Sequence, residues 1–228
     1  MQRLKVMILA AMAVFALGAT MAASAYAGVE ALNAEGKPTA ATFKGVSTKK
    51  TNLSTLGSSL EVLCGQTTSE GSLEAGGKVG TFHLRFEKCD TSLGGECTGL
   101  GDTAGTILAL GSLQLATNSG LTVGYLLFAT EHLHFSCTVL GIAKLFLVEG
   151  QYLCEVKPIN VLTKTLTVAC KKGAEHGDPA VTSYENFKGE AATLTNPLSS
   201  SEGDTTATMA AEEGEGEATV TPEAKLDL

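Results

Sequence analysis

Six cysteines that follow an export signal constrain the fold of this chain more than any other feature. Residues 1–5 are basic and residues 6–27 carry no charge. The stretch ends on Ala25-Tyr26-Ala27, the A-x-A pattern that signal peptidase cuts. All the cysteines lie behind that point: Cys64, Cys89, Cys97, Cys137, Cys154 and Cys170. An even number of cysteines in an exported chain predicts disulfides without a free thiol, and therefore a fold stapled in an oxidising compartment.

The signal divides the chain into a signal peptide, residues 1–27, and a mature domain, residues 28–228, which begins at Gly28. The alternative is an uncleaved anchor, because about 20 uncharged residues are enough to span a bilayer. The alanine-rich end and the A-x-A site favour cleavage. We therefore expect a secreted protein, extracellular or in the cell wall, without a stable membrane anchor.

The charge of the mature chain is strongly negative. Arg3 and Lys5 leave with the signal, so 14 Lys and Arg remain against 24 Asp and Glu, a net charge of −10. Nucleic-acid binding needs clustered cations, so this balance excludes nucleic acid as an expected partner. Residues 202–228 carry −7 of the charge. A solvated acidic edge is the simpler interpretation of that segment, and a cation-binding tail is the alternative.

Alternation of apolar and polar residues predicts many short strands. It is clearest over residues 82–87, 132–139 and 165–170. Further strands are expected at 59–63, 106–110, 121–128, 142–148, 151–156, 180–187, 205–211 and 216–221, with Gly, Asn and Ser clusters between them. The fold class that this pattern predicts is all-β: one antiparallel β-sandwich domain of jelly-roll type, stapled by disulfides.

Three segments have weaker patterns. Glu149-Gly150 separates two apolar runs by two residues, which predicts a tight hairpin. Residues 28–41 are rich in alanine and are expected to form a short helix or a loose leader. Residues 196–204 are expected to form a long loop, because they are rich in serine and polar residues.

Six cysteines allow fifteen pairings, and spacing alone does not choose among them. The pairing we favour joins Cys89 to Cys97 around a glycine-rich loop, and Cys154 to Cys170 on neighbouring strands. Cys64 is then left to pair with Cys137. Metal or redox use of the cysteines is disfavoured, since no C-x-x-C pair is present.

Three histidines form the sharpest candidate for chemistry. His132 and His134 share the polar face of one strand, and His83 has the same placement on another. If the two strands are neighbours, the three imidazoles can meet on Zn²⁺ or Cu²⁺. The simpler interpretation is that all three are solvated, because H-x-H is common by chance.

Other sites are weaker. Asp90, Glu96 and Asp102 lie near a glycine-rich loop that is able to offer oxygen ligands to Ca²⁺, but solvated acids in a turn are the simpler interpretation. Hydrolase motifs are missing, and so is tryptophan, on which sugar-binding surfaces commonly rely. No catalytic residue and no cofactor is predicted.

The order of motifs from Cys64 onward resembles a group of uncharacterised secreted bacterial proteins, mainly actinobacterial, with six cysteines. The resemblance covers roughly residues 60–200. It rests on Cys64, Phe86-Glu87-Lys88-Cys89, Cys97, Gly105-Thr106-Ile107 and Phe135-Ser136-Cys137. It implies an exported bacterial β-sandwich and no assigned activity.

These observations together favour a protein that acts by contact and is not an enzyme. The leading expectation is a secreted or wall-associated structural or interaction protein with cell-surface components as partners. The alternative is a module that binds a small ligand or a carbohydrate, with help from a metal at the histidines.

Overall fold

The computed structural model describes residues 29–55, 60–171, 181–194, 199–202 and 208–228, so the predicted signal peptide lies outside the described residues. No helix in the described part of the chain is long and apolar enough to cross a bilayer. The described strands are β1 (Glu30–Leu32), β2 (Ala41–Ser47), β3 (Thr51–Thr55), β4 (Glu61–Leu73), β5 (Val79–Thr91), β6 (Cys97–Gly99), β7 (Thr106–Thr117), β8 (Gly124–Val139), β9 (Ile142–Lys157), β10 (Thr163–Cys170), β11 (Ser183–Asn186), β12 (Ala191–Thr193), β13 (Ser199–Glu202) and β14 (Thr208–Asp227).

The main sheet is antiparallel and closes on itself. Its strands pair in the order β2–β4–β5–β7–β8–β9–β10–β14, and β14 pairs again with β2. Nearly every strand is therefore bonded to the strands before and after it in the chain. A closed sheet of this kind has one interior face and one outer face, and side chains along each strand alternate between them.

Three short strands extend the closed sheet at positions where a long strand stops. β3 lies between β14 and β4, in line with β2. β6 pairs with the part of β8 that β7 does not reach. β13 lies between β14 and β9, in line with β10. Strands therefore surround the interior of the closed sheet along its length.

The all-β class and the antiparallel pairing are confirmed. The finer prediction of two packed sheets with jelly-roll connections is not confirmed, because one large sheet contains the main strands. Jelly-roll connections cross from sheet to sheet. Here each strand returns beside its predecessor, and the last one closes the sheet against β2.

Three local predictions are wrong. Residues 142–157 form one unbroken strand without a hairpin at Glu149-Gly150. Gly150 has φ 116° and pairs with Thr130, so this glycine bends a strand inside a curved sheet. Residues 30–32 form β1 in place of a helix or a loose leader. Residues 199–202, which were expected in a loop, form β13.

The interior holds two buried apolar clusters, one at each end of the closed sheet. The cluster at the disulfide end contains five of the six cysteines together with Phe135 and Phe146. These two rings stack with centroids 5.2 Å apart. The cluster at the terminal end lies where β1 meets the end of β14, and it includes Ala31 and Leu226. A smaller cluster lies outside the sheet, between β7, β8 and β9 and the β11–β12 hairpin.

Phenylalanine and glycine alternate across neighbouring strands in the middle of the sheet. Phe43 pairs with Gly71, Gly71 with Phe82, and Phe82 with Gly111. A Cβ on Gly71 would lie 2.2 Å from the Phe43 ring, and one on Gly111 would lie 2.8 Å from the Phe82 ring. The rings occupy the space that the glycines leave open, which lets the sheet curve tightly at this level.

The three disulfides each join residues that face one another on adjacent antiparallel strands: Cys64–Cys89, Cys97–Cys137 and Cys154–Cys170. Cys154–Cys170 is confirmed, and the predicted Cys89–Cys97 and Cys64–Cys137 pairs are wrong. The Cα atoms of each pair are 4.0–4.3 Å apart, close to the spacing of non-hydrogen-bonded antiparallel pairs. Strand register, which sequence spacing does not encode, decides the pairing.

Candidate ligand-binding cavity

The interior of the closed sheet contains a cavity of about 110 Å³ at its terminal half. Every strand of the closed sheet except β9 contributes to its lining, and Ala31 of β1 borders it at the terminal end. A second cavity of about 60 Å³ lies toward the disulfide end and includes Val148 and Tyr152 of β9. Thr51, Leu84 and Phe128 line both cavities, so the two adjoin.

One wall of the larger cavity is formed by large apolar side chains. Leu113 and Leu115 of β7, Leu126 and Phe128 of β8, and Leu166 of β10 line it. Leu113 and Leu115 are almost fully buried, with 1% of each exposed. These residues occupy alternate positions on their strands, so their side chains point into the interior.

Small residues and hydroxyl groups line another part of the cavity, beside apolar side chains such as Phe43 and Leu73. Small residues of β14 line it at Gly214, Gly216 and Ala218. The hydroxyl groups belong to Ser47, Thr51, Thr67 and Ser69, which we call the hydroxyl cluster. Three of these residues take part in hydrogen bonds. The hydroxyl oxygens of Thr51 and Thr67 are 2.7 Å apart and share a hydrogen bond, and the Thr67 amide donates to Ser47 Oγ at 2.8 Å.

None of the described residues that line the cavity presents an ionisable side chain to the interior. Glu215 and Glu217 belong to the lining residues, but they alternate with Gly214, Gly216 and Ala218. The Glu215 carboxylate bonds the Lys49 ammonium group on the outer face at 2.5 Å, and Glu217 is exposed. Their backbones therefore border the cavity and their charges face solvent.

The residues whose pKa values are shifted lie on the outer face of the closed sheet. The pKa of Glu155 is lowered, chiefly by the hydrogen bond from the Lys157 ammonium group at 2.7 Å. Lys171 bonds the other carboxylate oxygen of Glu155 at 3.2 Å. Burial raises the pKa of Tyr125 and of Tyr184 beside the outer cluster. These groups stabilise strand contacts and do not converge on the cavity.

The histidines proposed for a metal are not on neighbouring strands. His83 lies on β5 and His134 on β8, with β7 between the two strands. His83 is exposed on the outer face and His134 is half-buried. The side chain of His132 lies outside the described residues. Among side chains that the structure describes, no group of three or more His, Cys, Asp or Glu is placed to hold a metal ion.

The acids considered for Ca²⁺ have structural roles. Asp90 and Glu96 form a backbone bridge that joins β5 to the segment before β6. Asp102 Oδ2 accepts a hydrogen bond from the Leu108 amide at 3.0 Å and orders the turn that leads into β7. The Asp102 contact is that of an acid in a turn, whereas the bridge involves only the backbones of Asp90 and Glu96, so Ca²⁺ binding by their carboxylates stays a prediction.

Sequence patterns missed the hydroxyl cluster. Ser47 and Thr51 belong to a segment that was not predicted as strand, and Thr67 and Ser69 lie beyond the predicted strand 59–63. The sequence contains a weak indication of the cavity wall. Alternate positions of β2 are occupied by Ala41, Phe43, Gly45 and Ser47. Only knowledge of the closed sheet shows that these positions face a cavity.

Comparison with known proteins gives no further guide. No protein-family model, no curated protein and no solved structure matches this chain.

Proposed function

We propose that this protein is a non-catalytic, exported binding protein that holds a small, largely apolar ligand inside its closed sheet. The observation that supports the proposal is the 110 Å³ cavity, which is lined mainly by apolar side chains together with the four hydroxyl groups of the hydroxyl cluster. An engineered apolar cavity of about 150 Å³ binds benzene, so this cavity together with the adjoining cavity of about 60 Å³ suits a ligand with a single small ring.

An empty cavity of this size opposes folding. Protein interiors are densely packed, and voids larger than a water molecule are few. At about 24 cal/mol per Å³, a vacant cavity of this volume lowers stability by about 3 kcal/mol relative to a filled one. A ligand that fills it recovers those contacts, which supports binding as the role of the interior.

The lining also supports a role without turnover. General acid–base and nucleophilic catalysis need ionisable or activated side chains near the reacting atoms. The side chains that face this cavity are aliphatic, aromatic, hydroxyl or disulfide-bonded. Three disulfides are typical of extracellular proteins and are consistent with export, as is the leader ending in Ala25-Tyr26-Ala27.

Filling the cavity should abolish binding. Val168 of β10 lines the cavity, and Val168→Phe places a ring in the space that a ligand would occupy. In an NMR titration with toluene, the methyl signals of Leu113 and Leu126 should shift saturably in the unmodified protein. The Val168→Phe variant should bind toluene at least tenfold more weakly.

The matched control is Val161→Phe, which makes the same change at a side chain that is 52% exposed. This variant should bind toluene as the unmodified protein does. Melting curves of both variants establish that they are folded. Absence of saturable shifts in the unmodified protein would contradict the proposed function.

A second candidate function rests on an exposed apolar tip, which we define as Leu93, Leu140 and Ile142. Leu140, on the tight turn between β8 and β9, is 81% exposed, and Ile142, the first residue of β9, is 65% exposed. Leu93 lies on the turn after β5, where Gly95 contacts the Thr138 backbone. Exposed apolar groups at one end of a protein are a common feature of interaction sites. This tip supports contact with cell-surface components.

One double variant distinguishes the two candidate functions. Leu140→Ser with Ile142→Ser should remove retention on isolated cell-wall material while leaving the toluene titration unchanged. Leu121→Ser, at an exposed position on the β7–β8 turn, is the control. Equal retention of all three proteins would exclude the tip as the contact surface.

A further inference from the structure

We infer that the ligand is an uncharged amphiphile whose single polar group hydrogen-bonds Ser69 while its apolar body packs against Leu113, Leu126 and Leu166. The inference rests on the proposed function and specifies the chemistry of its ligand. It follows from the uneven distribution of polar groups in the cavity, since the hydroxyl cluster lies on β2, β3 and β4, whereas the described residues of β7 and β8 that line the cavity are all apolar.

Ser69 differs from the other members of the hydroxyl cluster, because it takes no part in the hydrogen bonds that join them. Thr51 and Thr67 bond one another, and Ser47 accepts a bond from the Thr67 amide. The Ser69 hydroxyl has no protein hydrogen-bond partner among the described residues. A serine hydroxyl offers one donor and two acceptor positions, so it can bond an alcohol, a phenol or a carbonyl.

A glycine opposite Ser69 makes room for this hydroxyl. Gly45 of β2 pairs with Ser69 of β4. A Cβ on Gly45 would lie 2.6 Å from Ser69 Oγ and 3.2 Å from the Ala218 Cβ. The Ser69 hydroxyl therefore occupies the space that a side chain at Gly45 would need, beside small residues of β14 on the cavity wall.

The lining favours an uncharged ligand over an ion. Among the described residues, no lysine, arginine or histidine lines the cavity, and the two glutamates that border it turn their carboxylates outward. Moving an ion from water into an apolar site without a counter-charge is strongly unfavourable. A neutral hydroxyl or carbonyl group needs only one hydrogen-bond partner, which Ser69 supplies.

Three probes of similar size test the inference: phenol, toluene and benzoate. Isothermal titration at pH 7 should show phenol binding more tightly than toluene, and benzoate binding at least tenfold more weakly than phenol. Ser69→Ala should weaken phenol binding about five- to tenfold, the usual effect of one hydrogen bond. The affinity for toluene should change less than twofold in the same variant.

Ser72→Ala is the control, because Ser72 lies on the same strand, paired with Thr81 on the outer face. It should leave all three affinities unchanged. Binding of toluene as tight as that of phenol, or a phenol affinity that Ser69→Ala does not change, would overturn this inference and leave the cavity function intact. Failure of all three probes to bind would overturn the proposed function itself.

Discussion

Joint replacement of Cys97 and Cys137 by alanine is expected to lower the free energy of unfolding by about 4 kcal/mol. This disulfide closes the longest loop of the three, with a sequence separation of 40 residues. A longer closed loop removes more conformational entropy from the unfolded chain, which predicts about 4 kcal/mol here. Urea denaturation of the oxidised protein and of the double variant measures the difference.

The matched control is the joint replacement of Cys154 and Cys170, which are separated by 16 residues. The same relation predicts a loss of about 3 kcal/mol for this pair. Thiol titration of the denatured, unreduced parent protein should find no free thiol. Peptide mapping that recovers Cys89 joined to Cys97 would contradict the cross-strand pairing described above.

Phe82→Ala is expected to lower the free energy of unfolding by about 3–5 kcal/mol, as is usual for deletion of a buried phenylalanine ring. Phe82 is 2% exposed and meets the Phe128 ring edge to face, with centroids 5.0 Å apart. Its ring also fills the space over Gly111. The variant loses both contacts, and a void adjoins the existing cavity.

The control for this prediction is Phe187→Ala, on the turn between β11 and β12. Phe187 is half-buried and lies 5.8 Å from the Lys188 ammonium group, outside the closed sheet. Thermal unfolding of both variants should show a small effect at Phe187 and a large one at Phe82. Similar losses at the two positions would show that the Phe82 ring is not part of the core.

Strands with strong alternation were predictable from sequence, and the closure of the sheet was not. β5, β8 and β10 each carry apolar groups on one face, as their patterns indicated. Closure depends on which strands pair and on how tightly the sheet curves. Curvature is set by details such as the Phe82–Gly111 pair and the positive φ at Gly150, which only the register reveals.

The same residues that leave the cavity open also weakened the signal of its strands. In β2 the inward positions include Gly45 and Ser47, and in β14 they include Gly216 and Ala218. Such small or polar residues give little contrast between the faces of a strand. The histidines drew attention because imidazole is a common metal ligand, although β7 separates His83 from His134. The sequence therefore drew attention to the histidines, whereas the small and polar residues of the cavity strands gave no comparable pattern.

Residues Thr208–Asp227 form the last strand along the chain, and this strand closes the sheet. Its position has a consequence for biosynthesis. β14 bonds β2 on one side and β10 on the other, and no disulfide crosses either seam. A nascent chain emerges from its amino end, so it carries two unpaired strand edges and an open apolar interior until these residues arrive. Unpaired edges promote aggregation. Only a chain that contains β14 can pair both edges, so a chain truncated before residue 208 is expected to leave them exposed.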